Sequence, residues 1–248
     1  MTTWIKGKVI ANYKWTESLF SLIIIAKTKK FLAGQFTKLA LKINGEKIQR
    51  IYSYVNSPES KKLEFYISNI ENGILSQNLR KLEIDEEIYI DRDSYGNFTI
   101  SSIPECENLW MLSTGTAIGP FLSILQYRKN LERFKKIILV HSVRYVKDLN
   151  YIFLMKNLKN EFNGKLKIQS VVSREKISHS LYGRITTLIK SGELESSLKE
   201  KIEKNNTHIM LCGNPNMIQD MIKILQQERK MNVHSNRNRG NITFERYW

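Results

Sequence analysis

Leu109-Trp110-Met111-Leu112-Ser113-Thr114-Gly115-Thr116-Ala117-Ile118-Gly119-Pro120 is where the chain changes rhythm. An apolar run of strand length ends in a glycine-bearing turn. Pro120 then fits the first turn of a helix reaching to about residue 128. The alternation repeats downstream, with strands expected at 136–142, 166–173 and 209–212 and helices at 149–161 and 215–228. Such alternation specifies a doubly wound, Rossmann-like α/β domain with a parallel sheet. Upstream the pattern is different. Short strand-length runs at 5–13, 19–26, 36–42, 48–55, 63–68, 87–91 and 98–100 follow one another at regular spacing, and Ala33-Gly34 and Asn44-Gly45 supply turns between them. That spacing predicts an antiparallel β-barrel, interrupted by one helix over 73–82, where Leu75, Leu79 and Leu82 share a face. Two domains are therefore expected, 1–101 and 102–248, with Pro104 punctuating the boundary.

The totals narrow the function classes. The chain has 248 residues, 42% of them hydrophobic, enough for two sizeable cores. No apolar run approaches the ~20 residues of a membrane span, and the first residues lack the charged-then-apolar layout of a signal peptide. A cytoplasmic protein without a membrane span is expected. Two cysteines, Cys106 and Cys212, exclude a disulfide framework and a four-cysteine iron–sulfur site within the chain. The four histidines show no metal-ligand spacing, so no metal is expected. The net charge of +15 is uneven: +4 over residues 1–100 and +11 over residues 101–248. An acidic partner or a phosphorylated ligand accounts for such an excess. So does the drift of a chain rich in Lys, Asn and Ile.

Several short motifs carry chemistry. Arg50-Ile51-Tyr52-Ser53 closes an expected strand. A guanidinium grips a pyrophosphate through paired N–H groups, the Tyr52 ring offers a stacking surface, and Ser53 adds a small hydroxyl. This reads either as a flavin-nucleotide site or as an ordinary strand with a tyrosine face. The turn at Gly115 allows close approach of a pyrophosphate to helix-end amides, although the generic G-x-G-x-x-G fingerprint is missing. Cys212-Gly213-Asn214-Pro215 ends another strand of the same sheet, with Asn214 placed to cap the helix that Pro215 begins. Cys212 is either a small buried residue or a catalytic group. Arg144, Arg174 and Arg184 each follow an expected strand and together suit a 2′-phosphate. Taken singly, each is an ordinary solvated loop arginine. The chain closes on Glu245-Arg246-Tyr247-Trp248, two flat rings at its end.

In this order, Arg50-Ile51-Tyr52-Ser53, Gly73-x-x-Ser76, Gly115-Thr116-Ala117-Ile118-Gly119-Pro120, Cys212-Gly213-Asn214-Pro215 and Tyr247-Trp248 resemble the compact bacterial form of the ferredoxin (flavodoxin)–NADP(+) reductase family. The resemblance covers essentially the whole chain. It implies FAD on the N-terminal barrel and NADP(H) on the second domain. By the same resemblance, Arg50, Ile51, Tyr52 and Ser53 form the flavin site, with Tyr52 under the isoalloxazine and Ser53 near its N5. Tyr66, Ile67, Ser68, Ile74, Leu75 and Ser76 surround the ribityl and phosphate groups. Thr116 faces the cofactors, Tyr247 covers the second flavin face and Trp248 holds the adenine. Val143, Arg144, Ser173, Arg174 and Arg184 form the adenosine-phosphate site, with Asn214 and Asp220 on the same side. Ser53, Cys212 and Tyr247 lie closest to the chemistry.

The expected activity is exchange of hydride with NADP(H) and of single electrons with a separate ferredoxin or flavodoxin. These are acidic carriers that suit a basic protein. An NAD(P)H-dependent free-flavin reductase is the alternative enzyme, and it leaves the three arginines without a phosphate. A basic nucleic-acid-binding protein is the alternative of another class. No aromatic–basic motif or basic helix supports nucleic acid as a partner.

Overall fold

The computed structural model describes residues 2–235 and 237–247. The chain forms two compact units. One holds the residues up to Thr99 together with Gly119–Tyr127, and the other holds Ile100–Ile118 and the chain from Arg128 onward.

The first unit is an antiparallel sheet of six strands: β1 (Trp4–Lys14), β2 (Leu19–Ile25), β3 (Phe36–Ile43), β4 (Glu46–Ser53), β5 (Leu63–Ser68) and β6 (Glu87–Asp91), in the order β4-β3-β6-β1-β2-β5. Asn44 and Gly45, at φ of 51° and 86°, make the two-residue turn between β3 and β4, as a tight hairpin requires. The sheet curls until its outermost strands approach, and an antiparallel bridge joins Tyr54, just past β4, to Phe65 of β5. A register shift in β1 between Val9 and Ala11 marks a β-bulge, a device that bends and twists a strand. The interior is filled by Phe20, Leu22, Ile24, Leu39, Tyr54, Phe65 and Ile67. Helix α1 (Ile74–Lys81) adds Leu75 and Leu79 to this core. The Asn12 carboxamide of β1 donates to the carbonyls of Arg80 (3.2 Å) and Leu82 (2.9 Å), satisfying acceptors at the helix end.

The strand expected at 98–100 does not form. Phe98 and Ile100 are buried, but Phe98 packs its ring on Phe121, with centroids 5.4 Å apart. A 3-10 turn begins at Ile100. Burial here comes from ring packing against a helix rather than from a ladder. That helix, α2 (Gly119–Tyr127), groups with the barrel. Ser123 Oγ donates to the Asn56 carbonyl and Gln126 Nε2 to the Val55 carbonyl, each at 2.7 Å.

The second unit is a parallel sheet of β7 (Asn108–Thr114), β8 (Lys136–Val143), β9 (Leu166–Val172), β10 (Leu181–Tyr182), β11 (Thr207–Gly213) and β12 (Ile242–Arg246), in the order β10-β9-β8-β7-β11-β12. Helices α3 (Ile152–Glu161), α4 (Ile185–Lys190), α5 (Glu193–Leu198) and α6 (Pro215–Arg229) complete it. β8 and β11 read as continuous apolar runs because they are buried along nearly their whole length. The strand order leaves β7 in one direction through β8 and in the other through β11. The C-terminal ends of β7 and β11 therefore flank the topological switch point, where open α/β sheets hold their ligands. Among the described residues no helix is long and apolar enough to cross a membrane.

Candidate functional site

At the switch point of the second unit, β7 ends in Thr114 and continues into a 3-10 turn over Gly115–Ile118, with Gly115 at φ +57°. β11 ends in Gly213, whose φ of +141° favours glycine. A Cβ there would fall 2.0 Å from Thr114 Oγ1. The same Oγ1 accepts from the Asn214 amide at 3.0 Å, so the two strand ends are bound to each other. Thr116 is buried within this turn. Asn214 caps α6, its carboxamide oxygen accepting from the amides of Asn216 (2.9 Å) and Met217 (3.2 Å). Only its N–H groups are left for a ligand. Cys212 is fully buried between Ser113 and Glu245 in register. Burial holds its thiol well above the ordinary value, reinforced by Glu245. A protonated thiol of this kind is not a nucleophile. Tyr247 is tied to the same rim, its amide donating to the Gly213 carbonyl at 2.9 Å. Asp220 is exposed on α6. Trp248, expected to hold adenine, lies outside the described residues.

The three arginines come together. Val143, Val172 and Tyr182 stand in register on β8, β9 and β10, so Arg144, Arg174 and Arg184 all leave from the C-terminal ends of three adjacent strands. All three are exposed. Arg128, Arg133 and Arg229 are paired with Glu161, Glu105 and Glu195. Among the described residues no such ion pair joins the strand-end three. Ser173 donates to the Val143 carbonyl through its amide (3.0 Å) and its hydroxyl (3.3 Å). Val143 thus acts through its backbone. Three exposed guanidinium groups at neighbouring strand ends, none of them in an ion pair among the described residues, suit an anion such as phosphate.

In the first unit, Arg50 and Tyr52 lie two residues apart on β4 and so on one face of the strand. Arg50 is exposed, and its Nη1 donates to the Gln49 carbonyl at 2.7 Å. Tyr52 is half-buried against the barrel core. Desolvation pushes its phenol up to about 12 against the pull of Arg50, so the ring is neutral. Ile51 is exposed and Ser53 is buried at the strand end. On β5, Ile67 points into the core while Tyr66 and Ser68 occupy the other face. Ile67 can reach a ligand only through its backbone.

Helix α1 opens without a side-chain cap and without an acidic residue in its first turn. Its leading amides are therefore free for an anion. Ser76 is buried, and its hydroxyl accepts from the Ile70 amide (3.1 Å) and donates to the Gly73 carbonyl (3.2 Å). A Cβ on Gly73 would sit 2.5 Å from Ser76 Oγ and 2.8 Å from Ile70 Cβ. Leu75 is buried in the core, and Ile74 is 58% exposed at the helix mouth. A cation, a neutral ring, an open helix N-terminus and exposed apolar side chains are the donor set that FAD requires, and the residues present fit it.

Two contributors carry no motif. His141 lies in the apolar run of β8 and is fully buried. Burial lowers it to about 4, so it is neutral. Its Nε2–H donates to the Gly115 carbonyl at 3.0 Å and pins the turn, while Nδ1 has no partner among the described residues. An imidazole inside a buried, largely apolar strand was the available signal. Tyr145, directly after Arg144, accepts a hydrogen bond from Arg174. Adjacency to a strand-end arginine was the signal there. Among the described residues there is no cluster of metal-ligating groups.

Comparison with known proteins identifies the family. An oxidoreductase FAD-binding domain matches residues 13–99, and an oxidoreductase NAD-binding domain matches residues 111–223. The chain is 50% identical to the flavodoxin/ferredoxin–NADP reductase of Escherichia coli over 248 residues, covering all of both chains. It is 49% identical, again over the full length of both, to the enzyme of that name from Buchnera aphidicola of Schizaphis graminum. A ferredoxin NADP+ reductase from Neisseria gonorrhoeae, solved with bound FAD and NADP, superposes with a TM-score of 0.93 at 29% identity, covering 99% of each chain. With full-length identity near one half and both domain families matched, the chain belongs to the flavodoxin/ferredoxin–NADP reductase family.

Proposed function

We propose that the chain is an FAD-dependent oxidoreductase that exchanges hydride with NADP(H) and single electrons with ferredoxin or flavodoxin. Non-covalent FAD supplies the exchange between two-electron and one-electron chemistry. The protein supplies binding, orientation and charge. Arg50 and the open N-terminus of α1 neutralise the FAD diphosphate. Tyr52 offers its neutral ring for stacking, and Ser53 a hydroxyl at the reacting edge. Tyr66, Ile67, Ser68, Ile74, Leu75 and Ser76 hold the remainder of FAD, largely through backbone groups. Tyr247 offers a second aromatic ring for stacking, and Thr116 a hydroxyl. Arg144, Arg174 and Arg184 bind the 2′-phosphate of NADP(H) at the ends of β8, β9 and β10, and the Ser173 hydroxyl joins them by exchanging its long bond to the Val143 carbonyl (3.3 Å) for one to the phosphate. Asn214 offers its amide N–H groups and Asp220 an acceptor for coenzyme donors rather than for phosphate. Cys212 acts by packing, since its thiol stays protonated.

The observation that carries the coenzyme assignment is three exposed arginines, none in an ion pair among the described residues, at the ends of adjacent strands. The remaining positive charge of a +15 chain suits an acidic carrier protein, since complementary charge accelerates encounter. We assign it to that carrier rather than to nucleic acid, and we place the protein in the cytoplasm. The test is to purify the protein, release and identify its flavin, and reduce the holoenzyme with NADPH and with NADH. FAD as the flavin and a strong preference for NADPH are expected. A colourless protein, or equal reduction by both coenzymes, would overturn the proposal.

A further inference from the structure

The loops following β8 and β9 are laced together. The Arg174 amide donates to the Arg144 carbonyl at 3.0 Å. The Val146 amide donates to Glu175 Oε2 at 2.7 Å. A third contact joins two side chains: Arg174 Nη1 donates to the Tyr145 phenol oxygen at 3.1 Å, with the guanidinium carbon 5.6 Å from the ring centroid. Tyr145 is itself held. It is half-buried, its carbonyl accepts from the Asp148 amide at 3.0 Å, and its own amide reaches Asp148 Oδ2 at 3.4 Å.

A long exposed arginine loses rotamer freedom when it grips an anion, and that loss weakens binding. A fixed partner on the next loop removes the freedom before the anion arrives. The chemistry of the partner matters. A carboxylate would hold the guanidinium equally well, but it would neutralise the charge and repel the phosphate. A phenol is neutral, so Arg174 keeps its full charge. The phenol oxygen accepts from Arg174 and keeps its own hydrogen, which can be donated to the same anion. The ring adds a cation–π contact to the guanidinium.

We propose that Tyr145 is a positioning residue that presets Arg174 for the 2′-phosphate of NADP(H) and so helps to set the preference for the phosphorylated coenzyme. This rests on the reading of Arg174 as a phosphate ligand. The test uses FAD-loaded wild type, Tyr145→Phe, Arg174→Ala and the double variant. Two quantities are measured: kcat/KM for NADPH and NADH, and the dissociation constant of adenosine 2′-monophosphate by calorimetry, with adenosine 5′-monophosphate as control. Tyr145→Phe keeps the ring and removes the hydroxyl. It is expected to lower the NADPH/NADH ratio by about three- to tenfold, the range of one hydrogen bond. The loss should appear mainly in KM for NADPH, with the same factor in 2′-monophosphate affinity and no change for the 5′-monophosphate. In the Arg174→Ala background the hydroxyl should no longer matter. If Arg174→Ala loses the preference while Tyr145→Phe keeps it, the role given to Tyr145 is wrong and the phosphate site stands. Additive effects in the double variant also overturn it, because a positioning residue acts only through the group it positions. If Arg174→Ala changes neither quantity, the phosphate reading itself fails, and the inference with it.

Discussion

Gly73→Ala tests whether the mouth of α1 seats the FAD diphosphate. Gly73 has an ordinary φ of −85°, so the substitution adds no backbone strain. The difficulty is space. The new Cβ would lie 2.5 Å from Ser76 Oγ, 2.8 Å from Ile70 Cβ and 3.2 Å from the Ile70 carbonyl oxygen. The Ser76 hydroxyl can rotate away only by leaving the Ile70 amide and the Gly73 carbonyl, which it joins at 3.1 and 3.2 Å. Ile70 Cβ cannot rotate away, so the turn from Ile70 to Gly73 must open. Two hydrogen bonds at about 0.5–1.5 kcal/mol each give a cost of about 1–3 kcal/mol. The opening falls on the first turn of α1, whose amides are the proposed anion seat. The rest of the helix is anchored by Leu75 and Leu79 in the core and is expected to persist. FAD affinity should therefore fall by about 5- to 150-fold, read as recovery of free-flavin fluorescence on dilution, with far-UV circular dichroism unchanged. Ser76→Ala, which loses the bonds without the clash, should show a smaller loss. A folded Gly73→Ala protein that retains FAD as wild type does would refute the diphosphate seat at α1.

Arg144→Ala and Arg184→Ala should each lower the NADPH/NADH ratio of kcat/KM by about 10- to 150-fold, the value of a charge-assisted contact of about 1.5–3 kcal/mol. An unchanged ratio removes that residue from the site. Association with an acidic flavodoxin should slow steeply between about 0.01 and 0.15 M salt, as the Debye length shrinks from ~30 to ~8 Å. Flavin reduction at saturating NADPH should respond far less, and a salt-independent association rate would leave the charge without this role. Burial lowers His141 to about 4 and His208 to about 3. Below pH 6.5 the unfolded chain binds protons at these sites that the folded chain refuses, so stability falls on acidification. Between pH 7 and 5 the loss is about 2 kcal/mol per histidine, seen as a lower urea midpoint. His208→Gln should remove its share, and a midpoint indifferent to pH would contradict the neutral assignment.

The sheets were legible because one is built of short, regularly spaced strands and the other of apolar runs that alternate with helices. The strands over Leu63–Ser68 and Glu87–Asp91 match the sequence expectation to the residue, and Asn44-Gly45 announced its hairpin. Phe98 and Ile100 misled because alternating burial looks the same whether the cause is a ladder or ring packing. β10, α4 and α5 went unread because two or six residues hold too little of either period, and Gly192 at φ +75° breaks the helical run between α4 and α5. Residue type and position were enough to place the three arginines at the ends of adjacent strands. Side-chain commitment was not legible: that the Asn214 oxygen is consumed by a cap, that Ile67 and Leu75 face the core, and that Cys212 is sealed within the sheet all depend on packing. His141 and Tyr145 act through contacts made across neighbouring strands, and no local pattern encodes those.

The most direct test of the whole account is anaerobic mixing of the purified FAD-loaded protein with NADPH in the presence of an acidic flavodoxin. Flavin absorbance near about 450 nm reports reduction of the bound cofactor, and the flavodoxin spectrum reports the electrons that leave it. The account predicts rapid loss of the 450 nm band with NADPH, much slower loss with NADH, and stoichiometric appearance of reduced flavodoxin. Flavin that is reduced equally by both coenzymes, or that passes no electrons to the carrier, would contradict it.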